Sequence, residues 1–258
     1  MNSEKFAVFL DIDNTLMSDG IIPQINKEKI AQARALGHYV FINTARSYGF
    51  IPDVLKEDDL TDGYVAGIGT DLRLHGKQIF SKTLSTDELK FIGAHFLNDN
   101  REISFEGEDE MLWINPTERR CATHILSDIK QFDNEYKDFR ISKMYVQGKL
   151  TEEECEIFGK DYILYQHEYY AEFVGKGFGK AVGMKKMLDY IGIPEERCIA
   201  MGDSANDTDM LLASGISVAM GNAIPEIKEI CTYISCDAKD GGVAKAIDEL
   251  IIQKTVQK

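Results

Sequence analysis

Basic residues are scarce in this 258-residue chain: 29 lysines and arginines stand against 43 aspartates and glutamates, a formal net charge of −14. Such an acidic surface repels polyanions, which argues against nucleic acid or an anionic membrane as partner. Cysteine is thin as well. The five residues Cys121, Cys155, Cys198, Cys231 and Cys236 are odd in number and scattered. Cys231 and Cys236 lie close, but no second Cys/His pair completes a zinc set. Reduced thiols in a cytoplasmic protein are the plain expectation. Long hydrophobic runs are also missing. Phe6–Leu10 is too short for a signal-peptide core and is cut off by Asp11, and the longest uncharged stretch, Met210–Pro225, carries serines, glycines and a proline. Neither a solenoid-period repeat nor a low-complexity tract is present, and the five histidines form no cluster.

What is there suits a folded globular protein. At 44% apolar and 28% charged residues, the chain can bury a sizeable core in one large α/β domain or two smaller ones. Phe6–Leu10, Tyr39–Ile42, Tyr64–Gly67, Cys198–Ala200, Ile216–Ala219 and Tyr233–Ser235 are short apolar runs that read as buried strands. Helical stretches alternate with them: Ile21–Leu36 (Asn26 as N-cap, Gly37 past its end), Gly179–Leu188, Asp207–Ala213, Pro225–Ile230 and Gly242–Ile252. That alternation predicts a doubly wound, Rossmann-like parallel sheet. From about Ser81 to His167 the pattern changes. Helices over Thr86–Leu97, Ala122–Asp133 and Thr151–Phe158 mix with strand-like Glu102–Phe105, Met111–Ile114, Ile141–Val146 and Tyr162–Tyr165. The expected organisation is thus a core of 1–80 plus 168–258 with an inserted α+β module of αββ type at 81–167.

Chemistry-bearing residues gather where the strands end. Asp11 and Asp13 leave the first strand two residues apart. Alone, such a pair also serves as a turn or helix cap; a calcium loop is excluded because Leu16 stands where that loop needs glycine. One carboxylate can attack phosphorus and the second can protonate the leaving oxygen. Asn43-Thr44-Ala45-Arg46 offers a hydroxyl and backbone N–H groups at a helix start, an anion cradle or an ordinary cap. Lys180 opens a helix, yet Val174 and Ala181 rule out a Walker A loop there. Gly202-Asp203-Ser204-Ala205-Asn206-Asp207 places two carboxylates and an amide within a turn, hard oxygen ligands in a partial set that suits Mg²⁺. An anionic substrate on so acidic a protein needs local positive charge, which a lysine and a metal ion would supply.

In this order, over essentially the whole chain, the segments resemble the haloacid dehalogenase (HAD) superfamily, and within it the Cof-type phosphatases of subclass IIB. Asp11–Leu16 looks like the family's first motif, Thr44 the second, Lys180 the third, and Gly202-Asp203 through Asp207 the fourth. The long interval between Thr44 and Lys180 places the inserted cap in the C2 position. The resemblance implies Asp11 as nucleophile and Mg²⁺ ligand, and Asp13 as acid/base with its carbonyl on the metal. It further implies Asp203 as ligand, Asp207 ligating through water or orienting that site, and Thr44, Lys180 and Asn206 holding the phosphoryl oxygens. Where the family often has glycine this chain has Asn14, Ala45 and Ala181, which matters only where positive φ is needed. Trp113 is expected in the core of the cap, and Arg119-Arg120 are expected to be solvated.

The function these features imply is Mg²⁺-dependent hydrolysis of a small phosphorylated metabolite, such as a sugar phosphate, with the cap closing over the substrate. A phosphotransferase or phosphomutase on the same scaffold, and a non-catalytic phosphate-ligand sensor, are the alternatives. The intact set Asp11, Asp13, Lys180 and Asp203 weighs against the sensor.

Overall fold

The computed structural model describes residues 5–57, 59–117 and 124–253. In chain order, β1 (Ala7–Leu10), α1 (Gln24–Ala35), β2 (Tyr39–Asn43), α2 (Asp53–Glu57), β3 (Gly63–Ala66), β4 (Asp71–Leu74) and β5 (Lys77–Ser81) come first. They are followed by α3 (Thr86–Phe96), β6 (Ile103–Gly107), β7 (Met111–Ile114), β8 (His124–Ile125), β9 (Ile141–Gln147), α4 (Glu152–Phe158), β10 (Tyr162–Gln166) and β11 (Tyr170–Gly175). The last run is α5 (Lys180–Ile191), β12 (Cys198–Gly202), α6 (Thr208–Ala213), β13 (Ile216–Ala219), α7 (Pro225–Ile230), β14 (Tyr233–Ile234) and α8 (Gly242–Ile247). The chain divides into one unit of 1–45, 51–80 and 179–258, and a second of 46–50 and 81–178.

The first unit is built on an eight-stranded sheet of order β14-β13-β12-β1-β2-β3-β4-β5. From β14 to β3 all neighbours run parallel, with Ala7 opposite both Cys198 and Tyr39. β4 turns back antiparallel on β3, and the His75-Gly76 link to β5 has positive φ at both residues, the geometry a two-residue hairpin turn needs. β1 is wholly buried on both faces, which is why it reads as an unbroken apolar run. The strand order reverses direction at β1: successive strands first spread toward β3, then toward β14. This is the order of a doubly wound sheet whose switch point lies between β1 and β12.

Asn26 differs from its expected role. Helix α1 starts earlier, after Pro23, and Asn26 is fully buried within it. Its Nδ2 donates to Leu16 O at 3.4 Å and its Oδ1 accepts from Ala244 N at 2.9 Å, so it caps the start of α8 from another helix. Asn26→Ala leaves that buried N–H without its acceptor. The expected cost is about 1–3 kcal/mol, read as a lower urea midpoint with unchanged slope; an unchanged midpoint would contradict the bridge.

The second unit has a six-stranded sheet of order β10-β11-β9-β6-β7-β8. Its strands pair antiparallel apart from β7 with β8. Two helix-strand-strand runs, α3-β6-β7 and α4-β10-β11, give it an αββ character. One face of the sheet (Phe105, Leu112, Met144, Phe173) packs with Leu89, Ile92 and Phe96 of α3 and Phe158 of α4 into a separate core. This unit ends at Phe178 rather than at 167, because β11 pairs with both β9 and β10 and turns Ala171 and Phe173 into that core. The helix expected over Ala122–Asp133 is another difference. Ala122, like Arg119-Arg120 and Cys121, lies outside the described residues; beyond it come β8 and a short 3-10 turn, Ile129–Asp133. Asp128 starts that turn as a capping box, its side chain accepting from Lys130 N while Gln131 accepts from Asp128 N, so a continuous helix cannot run through it. Trp113 is half-buried on β7, on the strand face opposite the core residues Leu112 and Ile114.

Candidate active site

Three loops, after the carboxyl ends of β1, β2 and β12, together with the first residue of α5, carry the expected residues, and all lie in the first unit. Asp11, directly after β1, is 5% exposed, and its N–H donates to Met201 O of β12 at 3.1 Å. The chain then folds into a tight loop in which Leu16 N bonds Asp11 O, Met17 N bonds Ile12 O and Asn14 N bonds Met17 O. Asn14 takes φ +57°, so the residue standing for the family's glycine occupies the left-handed region that asparagine tolerates. Asp13 is exposed on this loop. Ala45 and Ala181 are not among the positive-φ residues, so their methyl groups carry no backbone strain.

Thr44 follows β2 and is buried; its N–H donates to Val65 O and its carbonyl accepts from Ile68 N. Past β3, Gly67, Ile68 and Gly69 all have positive φ. A Cβ on Gly69 would stand 2.3 Å from Gly179 O, and one on Gly183 would stand 2.4 Å from Val65 Cγ1. This close approach of loop and helix seats the first residue of α5, Lys180, whose carbonyl also accepts from Asn43 Nδ2 at 3.1 Å. Lys180 is 1% exposed, and its Nζ reaches Asp11 Oδ1 at 2.7 Å and Asp207 Oδ1 at 2.6 Å.

After β12, Asp203 accepts from Thr15 Oγ1 at 3.0 Å. Asp207, fully buried, accepts from the N–H groups of Asp203 and Ser204 through its other oxygen. A Cβ at Gly202 would meet the Asp207 side chain at 2.6 Å, which explains the glycine. Asn206 sits half-buried on the same turn, its Oδ1 accepting from Ser204 Oγ at 2.9 Å.

Asp11, Asp203 and Asp207 thus offer oxygens within 4.8 Å of one another, against one lysine. Among the described residues this is the one such group of potential metal ligands. The charge left over shows in the acidities. Burial pushes Asp11 up to about 7; Lys180 opposes the shift and Asp207 adds to it. Burial, with Asp207 nearby, pushes Asp203 up to about 6. Burial disfavours the charged Lys180, but Asp11 and Asp207 outweigh it and hold its pKa above the usual lysine range. An all-oxygen set with surplus negative charge fits a hard divalent cation. Asp207 uses both oxygens on protein donors, so it orients the cluster, while Asp11 and Asp203 keep an oxygen for a ligand. The Asp13 carboxylate stands outside the cluster. Sequence reasoning gave no role to Thr15, Asn43 or Asn222; Asn222 stands in a loop just past a parallel strand's carboxyl end, a position that could have marked it.

A family model for haloacid dehalogenase-like hydrolases matches residues 8–247. The Bacillus subtilis 5-amino-6-(5-phospho-D-ribitylamino)uracil phosphatase YitU is 27% identical over 276 residues, covering 96% of this chain and 98% of its own. A second B. subtilis phosphatase of that name, YwtE, is 28% identical over 281 residues, covering 95% and 98%. The solved structure of the HAD subclass IIB sugar phosphatase BT4131 matches with a TM-score of 0.82 at 25% identity, covering 95% of this chain and 99% of that one. No helix among the described residues is long and apolar enough to cross a membrane. With this matched length, this sheet order and this cluster, the chain belongs to the haloacid dehalogenase-like hydrolases, as a phosphatase of the Cof-type, subclass IIB branch.

Proposed function

We propose that the protein is a Mg²⁺-dependent phosphatase that hydrolyses a small phosphorylated metabolite, such as a sugar or polyol phosphate, through an aspartyl phosphate on Asp11. The observation that carries this reading is Asp11 itself: a buried carboxylate at the sheet's switch point, fixed by Lys180 and facing Asp203. Mg²⁺ held by Asp11, the Asp13 carbonyl and Asp203 would neutralise phosphoryl charge and keep these carboxylates ionised. Asp11 attacks phosphorus, the ester P–O bond breaks, and Asp13 gives the leaving oxygen its proton. Water then attacks the aspartyl phosphate while Asp13 takes its proton, releasing inorganic phosphate and restoring Asp11. Lys180, the Thr44 hydroxyl and the Asn206 amide hold phosphoryl oxygens as charge spreads over them. The kinship to YitU and BT4131, a ribitylaminouracil phosphatase and a sugar phosphatase, supports a polyhydroxylated substrate.

Asp13→Asn tests this assignment. The variant is expected to lose about 10²–10³ in kcat on an alkyl phosphate and at least tenfold less on an aryl phosphate whose leaving group needs no proton. Equal losses on both esters would remove Asp13 from the acid/base role.

Metal dependence has a pH signature. Carboxyls with raised pKa take up protons on folding, so in metal-free buffer their contribution to stability is present below about pH 4 and is lost as pH rises through 6 and 7. Mg²⁺ competes for those same oxygens. At 100 times its Kd it should stabilise by about 2.7 kcal/mol, with a larger melting shift near pH 7.5 than near pH 5.5. The reverse order would contradict binding at these carboxylates.

A further inference from the structure

We infer that Asn222 is a positioning residue for the acid/base: its side chain clamps the loop that carries Asp13 to the loop that follows β14. This inference rests on the proposed role of Asp13.

Two catalytic loops leave different strands, one after β1 with Asp11 and Asp13, the other after β12 with Asp203 and Asp207. The loop Met220–Ile224, after β13, is bonded to both. Met220 N donates to Gly202 O at 3.1 Å and Ile224 N donates to Asp203 O at 3.1 Å, so its two ends grip the Asp203 loop. Between them, Gly221 N donates to Cys236 O at 3.0 Å. A Cβ on Gly221 would lie 2.4 Å from Asp237 Oδ1, which holds the chain close to that third loop. Asn222 then reaches both ways. Its Oδ1 accepts from Ala238 N at 2.8 Å, and its Nδ2 donates to Asn14 O at 2.9 Å, across 208 positions of sequence.

What the clamp holds is the residue next to Asp13 in an uncommon conformation. Asparagine tolerates the left-handed region better than most residues, yet such a conformation persists where its surroundings fix it. Asn14 is fixed at both ends, its N–H by Met17 O at 2.8 Å and its carbonyl by Asn222. Rotating Asn14 toward the right-handed region would swing the preceding peptide and the Cβ of Asp13 with it. Asn222 is exposed, and with Asn14 and Asp203 it borders a cavity of about 450 Å³. The bond to Asn14 is exposed and the bond to Ala238 part-buried, so both compete with solvent. Neither bond of Asn222 reaches the proposed phosphoryl anchors Thr44, Lys180 and Asn206, so at saturating Mg²⁺, which offsets any weakening at the Asp13 carbonyl, its effect should fall on proton delivery and spare phosphate binding.

Asn222→Asp isolates the contact: it keeps an oxygen for Ala238 N and replaces the donor facing Asn14 O with a carboxylate oxygen. Asn222→Ala removes both bonds. For each variant, kcat and KM are measured on an alkyl and an aryl phosphate, with thermal stability and Asp13→Asn alongside. The expected result is a fall of about tenfold or more in kcat on the alkyl ester, less than about threefold on the aryl ester, and KM within about threefold on both. A loss by the same factor on both esters, which general loosening of the fold would give, overturns the inference, as does unchanged turnover. If Asp13→Asn separates the esters and the Asn222 variants do not, this inference alone fails. If Asp13→Asn does not separate them, the acid/base reading fails and takes this inference with it.

Discussion

Asp11→Asn is expected to abolish phosphatase turnover, lowering kcat by about four orders of magnitude or more, roughly 5 kcal/mol of barrier. The amide has almost the shape of the carboxylate and can still accept from Lys180 through its oxygen, so the surroundings of the side chain are kept. What it lacks is the anionic oxygen proposed to attack phosphorus. The substitution also removes one of three crowded carboxylates, the one that burial already drives toward its neutral form at about pH 7. In metal-free buffer the variant should therefore fold at least as stably as the parent. This separates lost chemistry from lost structure: an inactive variant with an undiminished melting temperature supports the nucleophile, and turnover within tenfold of the parent would refute it. Mass spectrometry of acid-quenched parent enzyme should find the added phosphoryl group, and the variant should show none.

Lys180→Met is expected to cost both stability and activity, for a different reason. Lys180 is the cation between Asp11 and Asp207, and all three side chains are buried. Methionine fills much of the same volume but leaves the carboxylates facing one another. Breaking a buried ion pair by removing one partner costs about 3–5 kcal/mol, measured here by chemical denaturation at neutral pH in the absence of metal. The loss should shrink as pH falls, since Asp11, raised to about 7 by burial, then protonates, and it should shrink when Mg²⁺ is added, since a divalent cation replaces the missing charge. A loss indifferent to both pH and Mg²⁺ would show that Lys180 contributes packing alone.

Three of the four motifs were legible because each lies directly after a short buried strand, where local apolar pattern and polar punctuation coincide, and Lys180 was legible as the opening of a helix. The same locality made Ile216–Ala219 and Pro225–Ile230 readable to the residue. Contacts between distant segments left no such trace. Asn26 read as a helix cap because asparagine at a helix start usually is one, whereas its partner, Ala244, lies 218 positions away. Strand β11 was missed at the unit boundary because polar Gln166-His167-Glu168 precede it, and only pairing with β9 shows which of its residues face a core. The helix drawn through Asp128 followed the apolar spacing and overlooked the capping box that restarts the chain there. Asn14 was readable as tolerant of a left-handed turn, but the donor that holds it there belongs to a loop after another strand.

The pairing of β1 with β12 also sets an order of events during synthesis. Ala7 pairs with Cys198, about 190 residues later. At roughly 5–20 residues per second, one edge of β1 waits about 10–40 s for its partner to leave the ribosome. Residues 81–178 are contiguous, carry their own sheet and core, and are complete before that partner exists. Asp11, the proposed nucleophile, therefore gains its lysine and its fellow carboxylates only after about 170–200 further residues have been made. Until then Asp11 stands at the end of a half-paired apolar strand, and the nascent protein has every reason to need protection along that edge.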